Sequence, residues 1–140
     1  MPKRTINQCR SFRLIVPGEA VPKGRPRAVR RGAFIAMHTP QKTERYEHLV
    51  KLAAQAENAP MLEGPIQAQM AFHFCRPKSA PKWKAWKDTR PDVENLAKAV
   101  MDGLNGIAYR DDGQIVRLFC EKAYAGRSEV AIELTELPEG

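Results

Sequence analysis

The sequence predicts a small α+β domain with a mixed sheet and two main helices, all 140 residues forming one unit. Three observations carry this. Short stretches of apolar alternation are interspersed with two segments of helical period, and the two types interleave without a regular strand–helix–strand repeat. A hydrophobic content of 43% suffices for a modest core without disulfide or metal staples. No internal repeat or low-complexity tract divides the chain.

"FRLIVPG" reads as the first strand, with Phe12, Leu14 and Val16 alternating and Pro17-Gly18 ending it. A basic loop over residues 18–31 follows, leading into a hairpin that turns near Arg31-Gly32. Thr39-Pro40 suits a helix start, Thr39 as N-cap and Pro40 as first helical residue. That helix should reach about Glu57, where Asn58 and Pro60 stop it, with Tyr46, Leu49, Val50 and Ala53 on its apolar side. "PIQAQMAFHFC" alternates, Ile66, Ala68, Met70, Phe72 and Phe74 against Gln67, Gln69 and His73, and predicts a strand buried on one face.

A long basic loop, residues 76–91, has three prolines and no period; a loop of that length in a small domain is usually functional or disordered. The second helix should begin at or just after Asp92. Val93, Leu96, Ala97, Val100 and Leu104 form its core stripe, and Gly106 its C-cap. "QIVRLFCEKAY" and "SEVAIELTEL" read as two final strands joined by a turn at Ala125-Gly126-Arg127.

Net charge is +7, and it is uneven. Residues 1–31 carry nine Lys or Arg against one acid, residues 76–90 carry six against one, and past Arg127 every charged side chain is Glu. A polyanionic partner, nucleic acid first, is the natural inference. No apolar run approaches the roughly 18 residues of a membrane helix, and the N-terminal stretch lacks signal-peptide features, so a cytoplasmic location is expected. Cys9, Cys75 and Cys120 are far apart and form no CxxC pair, which predicts reduced thiols near or within the core. His38, His48 and His73 have no partner at ligand spacing.

The stretch "RPDVENLAKAVMDGLNGIAYRDDGQI" gathers five carboxylates around one lysine. Asp92 falls at a helix N-cap, where its carboxylate can accept backbone N–H bonds. Glu94, Lys98 and Asp102 follow at intervals of four and share one stripe. Asp111 and Asp112 lie in a turn beyond the helix. Two readings fit. In one, these are an ordinary cap, a Glu94–Lys98 surface pair and a polar turn. In the other, the turn folds back and the carboxylates supply hard oxygens to Mg²⁺, one or two ions activating water and steadying a leaving oxygen while Lys98 offsets charge on a phosphorane-like transition state.

"PDVENLAKAVMDGLNGIAYRDDGQI" resembles the signature of the RusA family of Holliday junction resolvases, and "VPGEAVPKGRPR" resembles the entry segment of its phage and prophage members. The order of elements also matches, so the likeness covers about residues 13–135. The resemblance implies a RusA-like fold and a homodimeric, Mg²⁺-dependent endonuclease, with Mn²⁺ as the alternative ion, that nicks opposed strands of a four-way junction symmetrically in a bacterial or phage-infected cell. By position, Asp92, Glu94 and Asp112 match the metal-binding carboxylates, Lys98 a lysine implicated in catalysis, and Asn95, Asp102 and Asp111 supporting positions. The family's second acid is usually Asp. Glu94 adds one methylene, about 1.5 Å of reach, with consequences for metal preference or rate.

For DNA contact the candidates are Lys23, Arg25, Arg27, Arg30 and Arg31 in the first basic segment, read either as a phosphate clamp or as a solvated loop, and Arg76, Lys78, Lys82, Lys84 and Lys87 in the second. Trp83 and Trp86 lie among the latter and suit base stacking, anchoring of the loop to the core, or a dimer contact. The alternatives to a junction resolvase are a non-catalytic structure-specific DNA-binding protein and a nuclease acting on other branched DNA.

Overall fold

A computed structural model describes residues 4–24, 27–32, 34–38 and 40–139, the side chains at 27, 29, 31 and 34–38 lying outside the description. The elements run β1 (Ser11–Pro17), β2 (Arg27–Arg31), β3 (Phe34–His38), α1 (Gln41–Ala56), β4 (Ile66–Cys75), α2 (Val93–Leu104), β5 (Ile115–Ala125) and β6 (Glu129–Glu136). Four strands form a mixed sheet in the order β1-β6-β4-β5, antiparallel except for the parallel β4/β5 pair, and β2-β3 is a separate hairpin. The α+β class follows.

Alternation decides which face of the sheet is covered. Leu14, Val16, Met70, Phe72, Val130, Ile132 and Leu134 point to one side and share a core with Tyr46 and Val50 of α1 and Leu96, Val100 and Leu104 of α2. The opposite side carries Arg13, Ile15, Gln69, Phe119 and Glu133, and among the described residues no helix covers it. The two final strands are joined by the expected turn but do not pair. β4 lies between them, and the turn crosses its end, where the Cys75 N–H donates to Ser128 Oγ (3.0 Å).

The helices depart from expectation in detail. Pro40 is the N-cap of α1 rather than its first residue, because its ψ of 137° is still extended; Thr39 lies outside the described residues. The buried side of α1 is Thr43, Tyr46, Val50 and Ala54, so Leu49 (40% exposed) turns outward and Ala53 is only half-buried. Gly103 explains this: a Cβ there would lie 2.9 Å from the Glu47 carbonyl oxygen and 3.0 Å from Val50 Cβ, so the bare glycine admits α1 at that point and fixes its rotation. α2 ends at Leu104 with Asn105 as C-cap, and Gly106 follows one residue later at φ +77°. All three cysteines are free. Cys120 is half-buried, but Cys75 is exposed, since it ends β4 beyond the last core position.

Candidate active site

The long loop from Arg76 to Pro91 has no regular helix or strand, yet it is tied to β5. Tyr124 N–H donates to Ala85 O (2.9 Å) and Lys87 N–H to Lys122 O (3.3 Å). The Lys122 ammonium donates to the carbonyls of Thr89 (2.6 Å) and Pro91 (2.7 Å). These bonds set down the residue before α2, so Asp92 opens the helix at a defined place. Asp92 is the N-cap by position, but its carboxylate makes no capping hydrogen bond. Both Asp92 and Glu94 are exposed, and among the described residues neither side chain has an ion-pair partner.

Lys98 does not pair with Glu94. Its ammonium stands 2.9 Å from Asp102 Oδ1 and 2.9 Å from Asp112 Oδ2. The second contact answers whether the turn after α2 folds back, and the mechanism is visible in Gln114. The Oε1 of Gln114 accepts from the N–H groups of Arg110 (2.9 Å) and Asp111 (3.2 Å), while its Nε2 donates to the carbonyls of Leu62 (3.3 Å) and Gly64 (3.1 Å). Tyr109 is fully buried just upstream and donates its hydroxyl to Met101 O (2.7 Å) on α2. So anchored, the turn separates the two aspartates. Asp111 caps the turn by accepting from Gly113 N–H (2.9 Å), and Asp112 reaches Lys98.

The network extends inward. Asp102 Oδ2 lies 3.0 Å from the Lys23 ammonium, which also donates to Glu47 Oε1 (2.9 Å) on α1, and the Lys23 N–H donates to Asn95 O (2.8 Å) on α2. Burial alone would raise the Asp102 carboxyl, but bonds from Lys98 and Lys23 outweigh it and hold it below the ordinary carboxylate range. Lys98 is pushed up by its bond to Asp112 and then by that to Asp102. Burial pulls Lys23 down, but Glu47 and Asp102 together raise it. Lys98 and Lys23 thus stay ammonium ions across the neutral range.

Among the expected phosphate clamps, Lys23 is therefore engaged within the fold. Arg25 lies outside the described residues, as do the side chains of Arg27 and Arg31, which stand on β2; Arg30 is exposed on the same strand. Arg76 turns inward, donating to Pro81 O (2.8 Å) and Lys84 O and lying over the Tyr124 ring (5.4 Å). Lys84 pairs with Asp88 (2.7 Å), and Lys87 donates to Thr89 Oγ1 (2.9 Å) while sitting over the Phe74 ring. Lys78 and Lys82 are exposed.

A cleft of about 550 Å³ lies beside the start of α2, and Lys42, Lys87, Arg90, Asp92 and Asn95 line it. Lys42 and Arg90 were not singled out from the sequence. Lys42 comes from the first turn of α1, fifty residues from Asp92, and no local signal links them. A broader hollow of about 670 Å³ lies on the uncovered sheet face, away from these carboxylates. Its charged lining is Glu121 and the mutually paired Arg13 and Glu133 (3.0 Å), and none of the helix-borne carboxylates reaches it, so the smaller cleft, which Asp92 lines, is the candidate site.

Among the described residues no three His, Cys, Asp or Glu side chains form a group able to hold a metal ion, so Asp92, Glu94 and Asp112 do not make a closed cage. Donor chemistry still suits a hard cation. Asp92 and Glu94 offer unengaged carboxylates, and Mg²⁺ is commonly held by only one or two, with water and phosphate completing the shell.

Fold and site together define a small, basic α+β domain whose second helix opens with two acids, Asp92 lining a cationic cleft, and holds one clasped lysine along its length. A family model described as "Endodeoxyribonuclease RusA" matches residues 17–135. "Uncharacterized protein YqaN" of Bacillus subtilis (strain 168) is 32% identical over 137 residues, covering 90% of this chain and 96% of that protein. "Crossover junction endodeoxyribonuclease rusA" of Lactococcus phage r1t is 35% identical over 74 residues, covering 52% of this chain and 56% of that protein. The chain belongs to the RusA endodeoxyribonuclease family.

Proposed function

We propose that this endonuclease resolves four-way DNA junctions by paired, symmetric nicks and depends on a divalent metal ion. The observation that carries the reading is Lys98, fixed between Asp102 and Asp112 on the same helix that presents the unengaged Asp92 and Glu94 beside a cationic cleft. The phage relative's name supports the choice of substrate.

Asp92 and Glu94 are the residues that would hold Mg²⁺ or Mn²⁺ in this arrangement, and Asp112, engaged by the Lys98 ammonium, would join them as a third ligand on metal binding. When bound, such an ion supplies a Lewis acid and a water of lowered pKa. The protein's own contributions are electrostatic and positional. Lys98 keeps its proton and offsets negative charge developing on the phosphate oxygens. Asp102 holds that ammonium from one side and ties it to Lys23 on the other, so its location is set by α1 and α2 together. Lys42 and Arg90 bind backbone phosphate at the cleft, and Asn95 lines the same wall.

Paired cuts call for two sites, and a two-fold homodimer meets a nearly two-fold junction. The uncovered sheet face supports self-association. Ile15 (58%) and Phe119 (53%) are exposed there, and Val116 (64%) is exposed on the edge strand β5. Arg13 and Glu133 on that face pair with each other across β1 and β6 (3.0 Å), so these two charges oppose no second copy. Sedimentation at micromolar concentration tests this, and a monomer under those conditions removes it.

Incubating a labelled synthetic four-way junction with and without Mg²⁺, and mapping each broken strand, tests the activity. Symmetric nicks at the branch, only with metal, are expected. Asp112→Asn should lose cleavage while keeping junction binding; cleavage at the wild-type rate rejects the assigned site. Flaps, forks and linear duplex run in parallel, and equal cutting of these replaces the junction reading with a broader nuclease of branched DNA.

A further inference from the structure

Trp83 and Trp86 are 81% and 59% exposed. That is unusual for side chains that each offer roughly 150–250 Å² for burial. Anchoring of the loop to the core is therefore not their role. Other groups do that work: the Arg76 guanidinium on Pro81 O and Lys84 O, the Lys122 ammonium on Thr89 O and Pro91 O, and Tyr124 N–H on Ala85 O. Trp86 itself makes a backbone bridge with Ala123 of β5, so its Cα is fixed relative to the sheet. The loop thus holds two indoles outward on a framework that does not need them.

Their surroundings specify the ligand. Lys78 and Lys82 are exposed on the same loop, and its single acid, Asp88, is paired with Lys84. The loop runs straight into Arg90 and Asp92 of the cleft. Flat aromatic surface set among cations and leading to a phosphodiester-cutting site matches a polyanion with exposed bases.

We propose that Trp83 and Trp86 form a stacking platform for unpaired DNA bases, seated beside the cleft that carries Asp92. This rests on the junction reading for where those bases come from, namely nucleotides unstacked at a branch point.

The chain contains two tryptophans, so its intrinsic fluorescence reports on these indoles alone. Titration with a short oligothymidylate in EDTA removes cleavage from the measurement. Saturable quenching that weakens with salt is expected. By anisotropy of a labelled oligothymidylate, Trp83→Ala and Trp86→Ala should each raise Kd by about 5- to 150-fold, the range for losing one stacked base. Trp83→Phe and Trp86→Phe should recover most of the affinity, and thermal midpoints should stay at wild type because neither residue is buried. Absence of quenching, or alanine variants that bind as wild type does, overturns the platform. So does a wild-type dimer that becomes monomeric in the double alanine variant, because the indoles then cover a second copy of the chain. Wild-type protein that fails to cut four-way junctions but shows the quenching and its loss in the alanine variants refutes the resolvase reading and leaves the platform standing. Cutting that is intact while the alanine variants bind normally does the reverse.

Discussion

Lys23→Met separates two roles for one residue. Lys23 lies in the basic N-terminal segment, where a phosphate contact is the natural expectation, yet its ammonium sits between Glu47 (2.9 Å) and Asp102 (3.0 Å), all three side chains less than a quarter exposed. Methionine fills similar space without charge. Among the described residues it leaves Glu47 with no cation and Asp102 with Lys98 alone. Removing one partner of a fully buried pair costs about 3–5 kcal/mol, and residual exposure here lowers that to about 2–4 kcal/mol. For a chain of this size the thermal midpoint should fall by roughly 5–15 °C. The effect should depend on pH with a definite sign. Asp102 has a depressed folded pKa, so its contribution is present above its ordinary value of 3.8 and is lost as pH falls through the depressed value. The deficit of the variant is therefore largest near neutrality and shrinks in acid. Urea unfolding at several pH values measures it, and junction affinity measured under folded conditions should change little. An unchanged midpoint together with weaker binding and a salt slope reduced by nearly one unit would show that Lys23 contacts phosphate and that the inward network is not its role.

Glu136 is buried at the end of β6, with side-chain exposure of 1%, and accepts from Arg10 N–H (2.7 Å), Arg10 Nη2 (3.0 Å) and Glu63 N–H (2.8 Å). Burial alone would raise its pKa, but these bonds outweigh burial and lower it, so Glu136→Gln should cost about 2–3 kcal/mol at neutral pH and less as pH falls below its ordinary 4.5, read by urea midpoints. Gln114→Ala should cost about 1–3 kcal/mol and slow cleavage without changing junction Kd, because it loosens the turn that delivers Asp112. Gly103→Ala should cost about 1–3 kcal/mol by thermal unfolding, since its Cβ meets α1, whereas Gly126→Ala, with nothing within 4 Å, should stay within about 0.5 kcal/mol.

Several residues of the "PDVENLAKAVMDGLNGIAYRDDGQI" stretch prove to be architectural. Gly103 admits α1, Tyr109 fastens the turn to α2, and Gln114 bonds four main-chain groups around it. A one-dimensional pattern cannot distinguish such residues from those that meet substrate, because both are fixed by spacing. Asp111 and Asp112 make the point most sharply. They are adjacent and chemically alike, yet one caps a turn and the other clasps Lys98.

Alternation and helical period were enough to determine β1, β4, the core face of α2 and the α+β class, since each depends on contacts between a segment and one apolar side. The rotation of α1, the insertion of β4 between the last two strands, the inward turn of Lys23 and the approach of Lys42 to Asp92 were decided only in three dimensions. Each depends on a partner tens of residues away, and the pairing energy of two side chains leaves no periodic trace in either stretch of chain.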